Sequence, residues 1–124
     1  MAKVLVVEDN PANMTLAKFL LESVGHTVLS AIDAESGVIL ATTEQPDLIL
    51  MDIQLPGMDG LQATGLLKAD PGTRSIPVIA LTALAMKGDE ERILGAGCDG
   101  YVAKPLDYKQ FLAKISTLVP VAAR

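Results

Sequence analysis

Asp52 ends an apolar run, Leu48-Ile49-Leu50-Met51, in the stretch LILMDIQLPGMDG. Glu8 and Asp9 end a second run, KVLVV at Lys3-Val7; Thr82 ends a third, Val78-Leu81; Lys104 follows a fourth, Gly100-Ala103. A charge beside apolar surroundings is costly unless something pairs with it. If these ends converge, three carboxylates, one hydroxyl and one ammonium share a rim. The carboxylates repel, and without a counter-ion at least one of their pKa values must rise. A hard dication resolves the repulsion: Mg²⁺ takes oxygen ligands, keeps several waters, and favours one or two carboxylates plus a phosphate oxygen. Lys104 adds a point charge suited to a phosphoryl group. Thr82 offers a hydroxyl to another phosphoryl oxygen, and Ala83 beside it is small enough to leave room. A carboxylate beside such a metal is a nucleophile that can become an aspartyl phosphate. Asp52 is the candidate.

Convergence requires that the runs lie side by side, and the chain reads that way. Lys3-Val7 is a β-branched strand candidate. Asn10 as N-cap with Pro11 in the first turn opens a helix running to about Val24, with Ala17, Leu20, Leu21 and Val24 on one face and Gly25 as its stop. Thr27-Ala31 is a strand, Ala34 to Thr43 a helix, Leu48-Asp52 a strand, and Gly60 to Ala69 a helix ended by DPG. Val78-Leu81 is a strand introduced by Pro77; Met86 to Ala96 is a helix with Gly97 as its stop; Gly100-Ala103 is a strand. Asp107 caps a last helix whose Tyr108, Phe111, Leu112, Ile115 and Leu118 form a stripe. Strand and helix alternate five times, which predicts a doubly wound α/β fold with a parallel sheet covered on both faces. In such sheets the functional crevice lies beyond the carboxyl ends of the strands.

Bulk properties narrow the function. The 124 residues suit one domain, expected to span 1–124 with nothing left for an output domain. Half the residues are apolar, with two Phe, two Tyr and no Trp, so the core is aliphatic. A net charge of -5 argues against nucleic acid or an anionic membrane as partner. Cys98 stands alone, which excludes an internal disulfide and a thiolate metal cage. No apolar stretch approaches membrane-span length and no signal-peptide core is present, so a soluble cytoplasmic protein is expected.

The segments VVEDN, LILMDIQLPGMDG, VIALTA and YVAKP, in this order and spacing, resemble the receiver domain of bacterial two-component response regulators. AMKGDEERI and AGCDGY are further similar to stand-alone receivers of the cell-division-control kind. The resemblance implies a flavodoxin-like five-stranded sheet of order 2-1-3-4-5 with five helices. It makes Asp52 the phosphoacceptor, with Glu8, Asp9, Asp52 and the backbone carbonyl of Gln54 holding Mg²⁺, and with Thr82 and Lys104 contacting the phosphoryl group. Thr82 and Tyr101 become the switch pair, and Lys104-Pro105 a cis peptide. Leu84, two past the threonine, would screen the phosphoryl group from water and lengthen its lifetime. The implied donors are a histidine kinase or a histidine phosphotransfer protein. The implied output is a target protein met through the fourth helix, fifth strand and fifth helix, by a monomer or weak homodimer.

Other readings stand beside these. A receiver that works as an adaptor without phosphorylation is one. A Mg²⁺-dependent aspartyl-phosphate phosphatase is another, but it resembles DxD and this chain has Gln54 where that acid would stand. A flavin or dinucleotide binder is opposed by EDNPAN, an acidic and glycine-free first loop. Asp59 reads as a turn or helix cap, Cys98 as a small buried filler, Met51, Met58 and Met86 as packing, His26 as exposed, and KGDEER as a solvated helix start whose acids suit its dipole.

If the empty acidic rim is repulsive, neutralising it stabilises the metal-free fold. Asp9→Asn should raise the melting temperature in EDTA while abolishing phosphorylation, and Mg²⁺ should stabilise the wild type but hardly the variant. An equal or lower melting temperature for the variant refutes stored repulsion.

Overall fold

The computed structural model describes residues 2–83, 87–104 and 106–118. The strands are β1 (Lys3–Val7), β2 (Thr27–Ala31), β3 (Leu48–Asp52), β4 (Val78–Thr82) and β5 (Gly100–Ala103). The helices are α1 (Pro11–Ser23), α2 (Ala34–Glu44), α3 (Gly60–Ala69), α4 (Lys87–Gly95) and α5 (Tyr108–Ser116). The strands form one parallel sheet in the order β2-β1-β3-β4-β5, as the resemblance implied. Every residue of β3 and β4 is buried, as a central parallel strand requires.

Two aliphatic clusters fill the two faces. Leu5, Val7, Ile49, Met51, Val78 and Ala80 pack with α2, α3 and α4 residues such as Ala41, Leu67 and Ile93. Val4, Val6, Leu48, Leu50, Ile79 and Leu81 pack with α1 and α5 residues such as Leu21, Phe111 and Ile115. Each strand therefore sends alternate side chains to opposite layers.

The helix signals act as their chemistry predicts. Asn10 accepts a hydrogen bond from the Asn13 amide at 3.0 Å, with Pro11 in the first turn. Asp59 and Gln62 form a reciprocal capping box on α3. Asp107 accepts from the Lys109 and Gln110 amides at the start of α5. Gly25 and Gly97 take positive φ values of 94° and 109° after α1 and α4. The stop of α2 carries no glycine: Gln45 itself adopts φ 50°, and Pro46 behind it prevents the helix from continuing.

Three expectations are corrected. His26 is buried, 4% exposed, not at the surface. Its Nδ1 accepts a hydrogen bond from the Ala2 amide at 3.2 Å, so the backbone leading into β1 meets it. Tyr108 lies outside the inner stripe of α5, 56% exposed, while Phe111 and Ile115 carry that face. Val24 caps α1 instead of extending its buried face. Leu84, Met86 and the cis peptide expected at Pro105 lie outside the described residues. No helix among the described residues is long and apolar enough to cross a membrane.

Burial pushes the His26 pKa down. A lowered folded-state pKa means that stability is held above the unfolded histidine value and lost as pH falls through the folded one. Lowering the pH from about 7 to about 5 should therefore cost the wild type more melting temperature than His26→Asn, whose amide oxygen can still accept from Ala2 but does not titrate there. Equal losses would show that His26 does not contribute to acid lability.

Candidate functional site

Register alone places the polar groups together. Val7 of β1 pairs with Met51 of β3. Asp52 pairs with Leu81 of β4, and Thr82 with Ala103 of β5. Glu8 and Asp52 thus leave adjacent strands at one level. Thr82 stands next along β4, and Lys104 next along β5, its amide donating to the Thr82 carbonyl at 2.7 Å. Carboxylate oxygens of Glu8, Asp9 and Asp52 all lie within 4.8 Å of one another.

The carboxylates differ in environment. Glu8 is 1% exposed and Asp52 3% exposed, whereas Asp9 faces solvent. Lys104 Nζ bridges the buried pair, 2.8 Å from Glu8 Oε1 and 3.2 Å from Asp52 Oδ2. The contact to Glu8 Oε1 is an ion pair without the alignment of a hydrogen bond, while Lys104 does donate to Asp52 Oδ2. The remaining oxygens accept from backbone: Asp52 Oδ1 from the Gln54 amide at 2.9 Å, Glu8 Oε2 from the Asn10 amide at 3.2 Å. Each buried carboxylate is therefore held at one oxygen by its own loop and approached at the other by Lys104.

Burial, followed by the Asp52 carboxylate beside it, pushes the Glu8 carboxyl above its ordinary value, against the pull of Lys104 and the Asn10 amide. Burial alone would push the Lys104 ammonium down; Glu8 and Asp52 together outweigh it and push it up. Lys104 is thus a fixed positive charge at neutral pH. One ammonium faces three carboxylates, so the group is short of positive charge. Its donors are all oxygen, and its exposed member opens to solvent. This donor set fits a hard dication such as Mg²⁺ and does not fit a soft metal.

Of the residues expected at the site, Glu8, Asp9, Asp52 and Lys104 come together as described. Thr82 is buried at the end of β4. Gln54 is exposed, two residues past Asp52, and donates its amide to it. Tyr101 lies on β5 below the rim, half-buried, with its hydroxyl donating to Glu90 Oε2 of α4 at 2.9 Å. Sequence reading missed Glu90, treated only as part of a solvated helix start. Its spacing of three from buried Ile93 was the signal, because helical neighbours three apart share a face. Cys98 is buried as expected, its thiol 3.8 Å from Thr64 Oγ1.

Gly60 was also missed as a positioning residue. A Cβ there would lie 2.2 Å from the Asp52 carbonyl oxygen and 2.8 Å from Ile53 Cα. The α3 N-terminus therefore sits directly on the backbone that carries Asp52, and the Gly60 amide donates to the Ile53 carbonyl at 3.4 Å.

This chain belongs to the response regulator receiver domain family, whose model matches residues 4–116. It is 47% identical to the polar-differentiation response regulator DivK of Brucella anthropi over 114 residues, 92% of this chain and 93% of that protein. The Brucella ovis DivK matches to the same extent. Among solved structures, the receiver domain of a sensor histidine kinase from Pseudomonas aeruginosa PAO1, with a magnesium ion coordinated in its active-site cleft, aligns with TM-score 0.88 at 38% identity. That alignment covers 94% of this chain and 96% of the other. A Vibrio cholerae chemotaxis response regulator aligns with TM-score 0.90 at 23% identity, covering 96% of this chain and 99% of that one, and so shares the fold. The chain is a two-component receiver, DivK-like, in a family of signalling switches.

Gly60→Ala should destabilise the fold by roughly 1–3 kcal/mol through overpacking. It should also slow phosphoryl acceptance on the order of 100-fold, because the displaced backbone is that of Asp52. Gly65→Ala, with open space around its Cβ, should be neutral or slightly stabilising. Denaturant melts and a phosphorylation time course on both variants decide; equal behaviour overturns the positioning role.

Proposed function

We propose that Asp52 accepts a phosphoryl group from a histidine kinase or a histidine phosphotransfer protein in a Mg²⁺-dependent reaction, and that the phosphorylated chain changes its protein contacts. The observation that carries this reading is the Asp52 carboxylate. It is held by the Gln54 amide at 2.9 Å and Lys104 at 3.2 Å, with two further carboxylates within 4.8 Å.

An Asp52 carboxylate oxygen attacks phosphorus, the phosphorus–nitrogen bond of phosphohistidine breaks, and the imidazole, carrying a proton from solvent on its other ring nitrogen, leaves as the neutral base. Glu8, Asp9 and Asp52, with the backbone carbonyl of Gln54, are the residues that would hold Mg²⁺. When bound, the metal neutralises the approaching phosphoryl oxygens and the carboxylates around them. Lys104 supplies the positive charge next to Asp52 and passes from carboxylate to phosphoryl oxygen as the acyl phosphate forms. Thr82, at the rim, offers its hydroxyl to another phosphoryl oxygen, and Tyr101 follows its movement inward.

The chain catalyses only its own phosphorylation and dephosphorylation. One receiver domain without an output domain is the reading supported by relatives that it matches over 93% of their length. The phosphoryl donor reaches Asp52 from the solvent side of the rim, where Asp9 is exposed. The target meets α4, β5 and α5, and the protein works in the cytoplasm as a monomer or weak homodimer.

Intact mass after incubation with acetyl phosphate tests the reading, with Mg²⁺ and with EDTA, on wild type and Asp52→Asn. A single phosphoryl adduct requiring both Mg²⁺ and Asp52 is expected. An adduct that survives EDTA or the substitution overturns the site. No adduct, together with no shift of the melting curve by Mg²⁺, leaves a receiver that works by binding alone.

A further inference from the structure

The two ends of α4 are held differently. At its C-terminal end Ile93 is buried and Gly97 turns the chain. Asp99, just beyond, is fixed by the Val78 amide at 2.8 Å and by Lys68 Nζ at 3.0 Å. Lys68 in turn donates to the carbonyls of Arg74 and Ile76. That end is pinned to α3, to the loop before β4, and to β4 itself. In the first turns of α4, Gly88 is exposed and Asp89 and Glu90 are half-buried, with Asp89 engaged by Arg92 on the helix's own surface. Among the described side chains of those turns, Glu90 is the one hydrogen-bonded to the sheet, accepting from the Tyr101 hydroxyl at 2.9 Å.

The bond joins an aromatic on β5 to a helix whose other described ties lie at its far end. The Tyr101 ring packs against the core layer of α2, α3 and α4, while its hydroxyl donates to the Glu90 carboxylate of α4. Both groups keep some solvent contact, so the bond can break without stranding a buried charge. Tyr101 cannot move toward the rim and keep Glu90 unless the start of α4 moves with it.

We propose that the Tyr101–Glu90 hydrogen bond is a latch that holds the first turns of α4 in the unphosphorylated arrangement and opposes the switch. This rests on the reading of Tyr101 as the switch aromatic. The Glu90 carboxylate beside the phenol pushes the Tyr101 pKa up, as a charged acceptor must. Removing either partner releases the helix start and raises the population competent for phosphorylation.

Hydrogen exchange of the α4 amides, with acetyl phosphate phosphorylation rates, tests the latch on full-length wild type, Tyr101→Phe, Glu90→Ala and the double variant. Tyr101→Phe keeps the ring and removes the donor. Each single variant should speed exchange in the first turns of α4 about three- to ten-fold. Exchange in β1 and β3 should stay unchanged, and the double variant should match the singles. Glu90→Gln, which keeps an acceptor, should restore part of the protection. Phosphorylation should quicken in the same order. Unchanged α4 exchange, or additive effects in the double variant, overturns the latch. Faster exchange with an unchanged phosphorylation rate overturns the Tyr101 switch reading and leaves the bond a static tie.

Discussion

Two carboxylates buried against one ammonium set the terms for everything else in this chain. Like charges within 4.8 Å repel on the order of 3 kcal/mol at an effective dielectric constant of about 20, more than one ordinary hydrogen bond, at about 1 kcal/mol, offsets. Glu8 and Asp52 could not both be buried as carboxylates without Lys104 between them. Lys104 nonetheless compensates only one of the two, and exposed Asp9 adds a third negative charge. The site is balanced enough to fold and deficient enough to attract a cation. That deficiency is smaller than three bare carboxylates suggest, because Lys104 already lies 2.8 Å and 3.2 Å from the buried pair.

The scaffold follows from that constraint. A buried ion cluster needs surroundings that exclude water yet supply hydrogen bonds, and the carboxyl edge of a parallel sheet does both. The strand interiors beneath are apolar, with Val4, Leu5, Val6 and Val7 of β1 and Leu48 to Met51 of β3 fully buried. Above them the chain turns into loops whose amides point back, so Asn10 and Gln54 hold the carboxylates two residues before them. The same geometry explains the glycine opening α3. The loop from Ile53 to Asp59 must return its helix to the backbone of Asp52, and only hydrogen fits at that approach.

What was legible in the sequence is what depends on local pattern. Asp52, Glu8, Asp9, Thr82 and Lys104 announce themselves because each ends an apolar run, and parallel alternation carries all such ends to one edge. The caps at Asn10, Asp59 and Asp107 were legible for the same reason, since they act on amides two or three residues away. What escaped depends on tertiary contact. His26 is polar and follows a glycine stop, which reads as surface; it is buried because the backbone at Ala2, 24 residues away, uses it as an acceptor. Tyr108 fits the helical period of α5, but it is the first residue of the helix and stays exposed while Phe111 and Ile115 are buried. Gln45 takes the left-handed stop of α2 with no glycine to mark it. Glu90 looks like dipole chemistry until the fold brings Tyr101 under it.

Differences in anchoring decide where a disturbance at the rim can travel. α3 buries Gly60, Ala63, Thr64 and Leu67, and its start rests on Asp52 itself. α1 buries Ala17, Leu20 and Leu21, and α2 buries Ala34, Gly37 and Ala41, with Gly37 packed so closely that an added Cβ would lie 2.7 Å from Val7. Moving any of these helices means opening the aliphatic core, at about 1.5–3 kcal/mol for each buried leucine that α1 or α3 withdraws. Among the described side chains of α4, Ile93 alone is buried, and it sits near the pinned end. Strand β5 couples to the rim directly, because Lys104 follows it and the Lys104 amide is bonded to Thr82. On the proposed switch, a shift of Thr82 and Lys104 passes along β5 to Tyr101, and the Tyr101–Glu90 bond links it to the first turns of α4. Among the described helices, α4 has the fewest buried side chains, so its first turns are held more weakly than α1, α2 or α3.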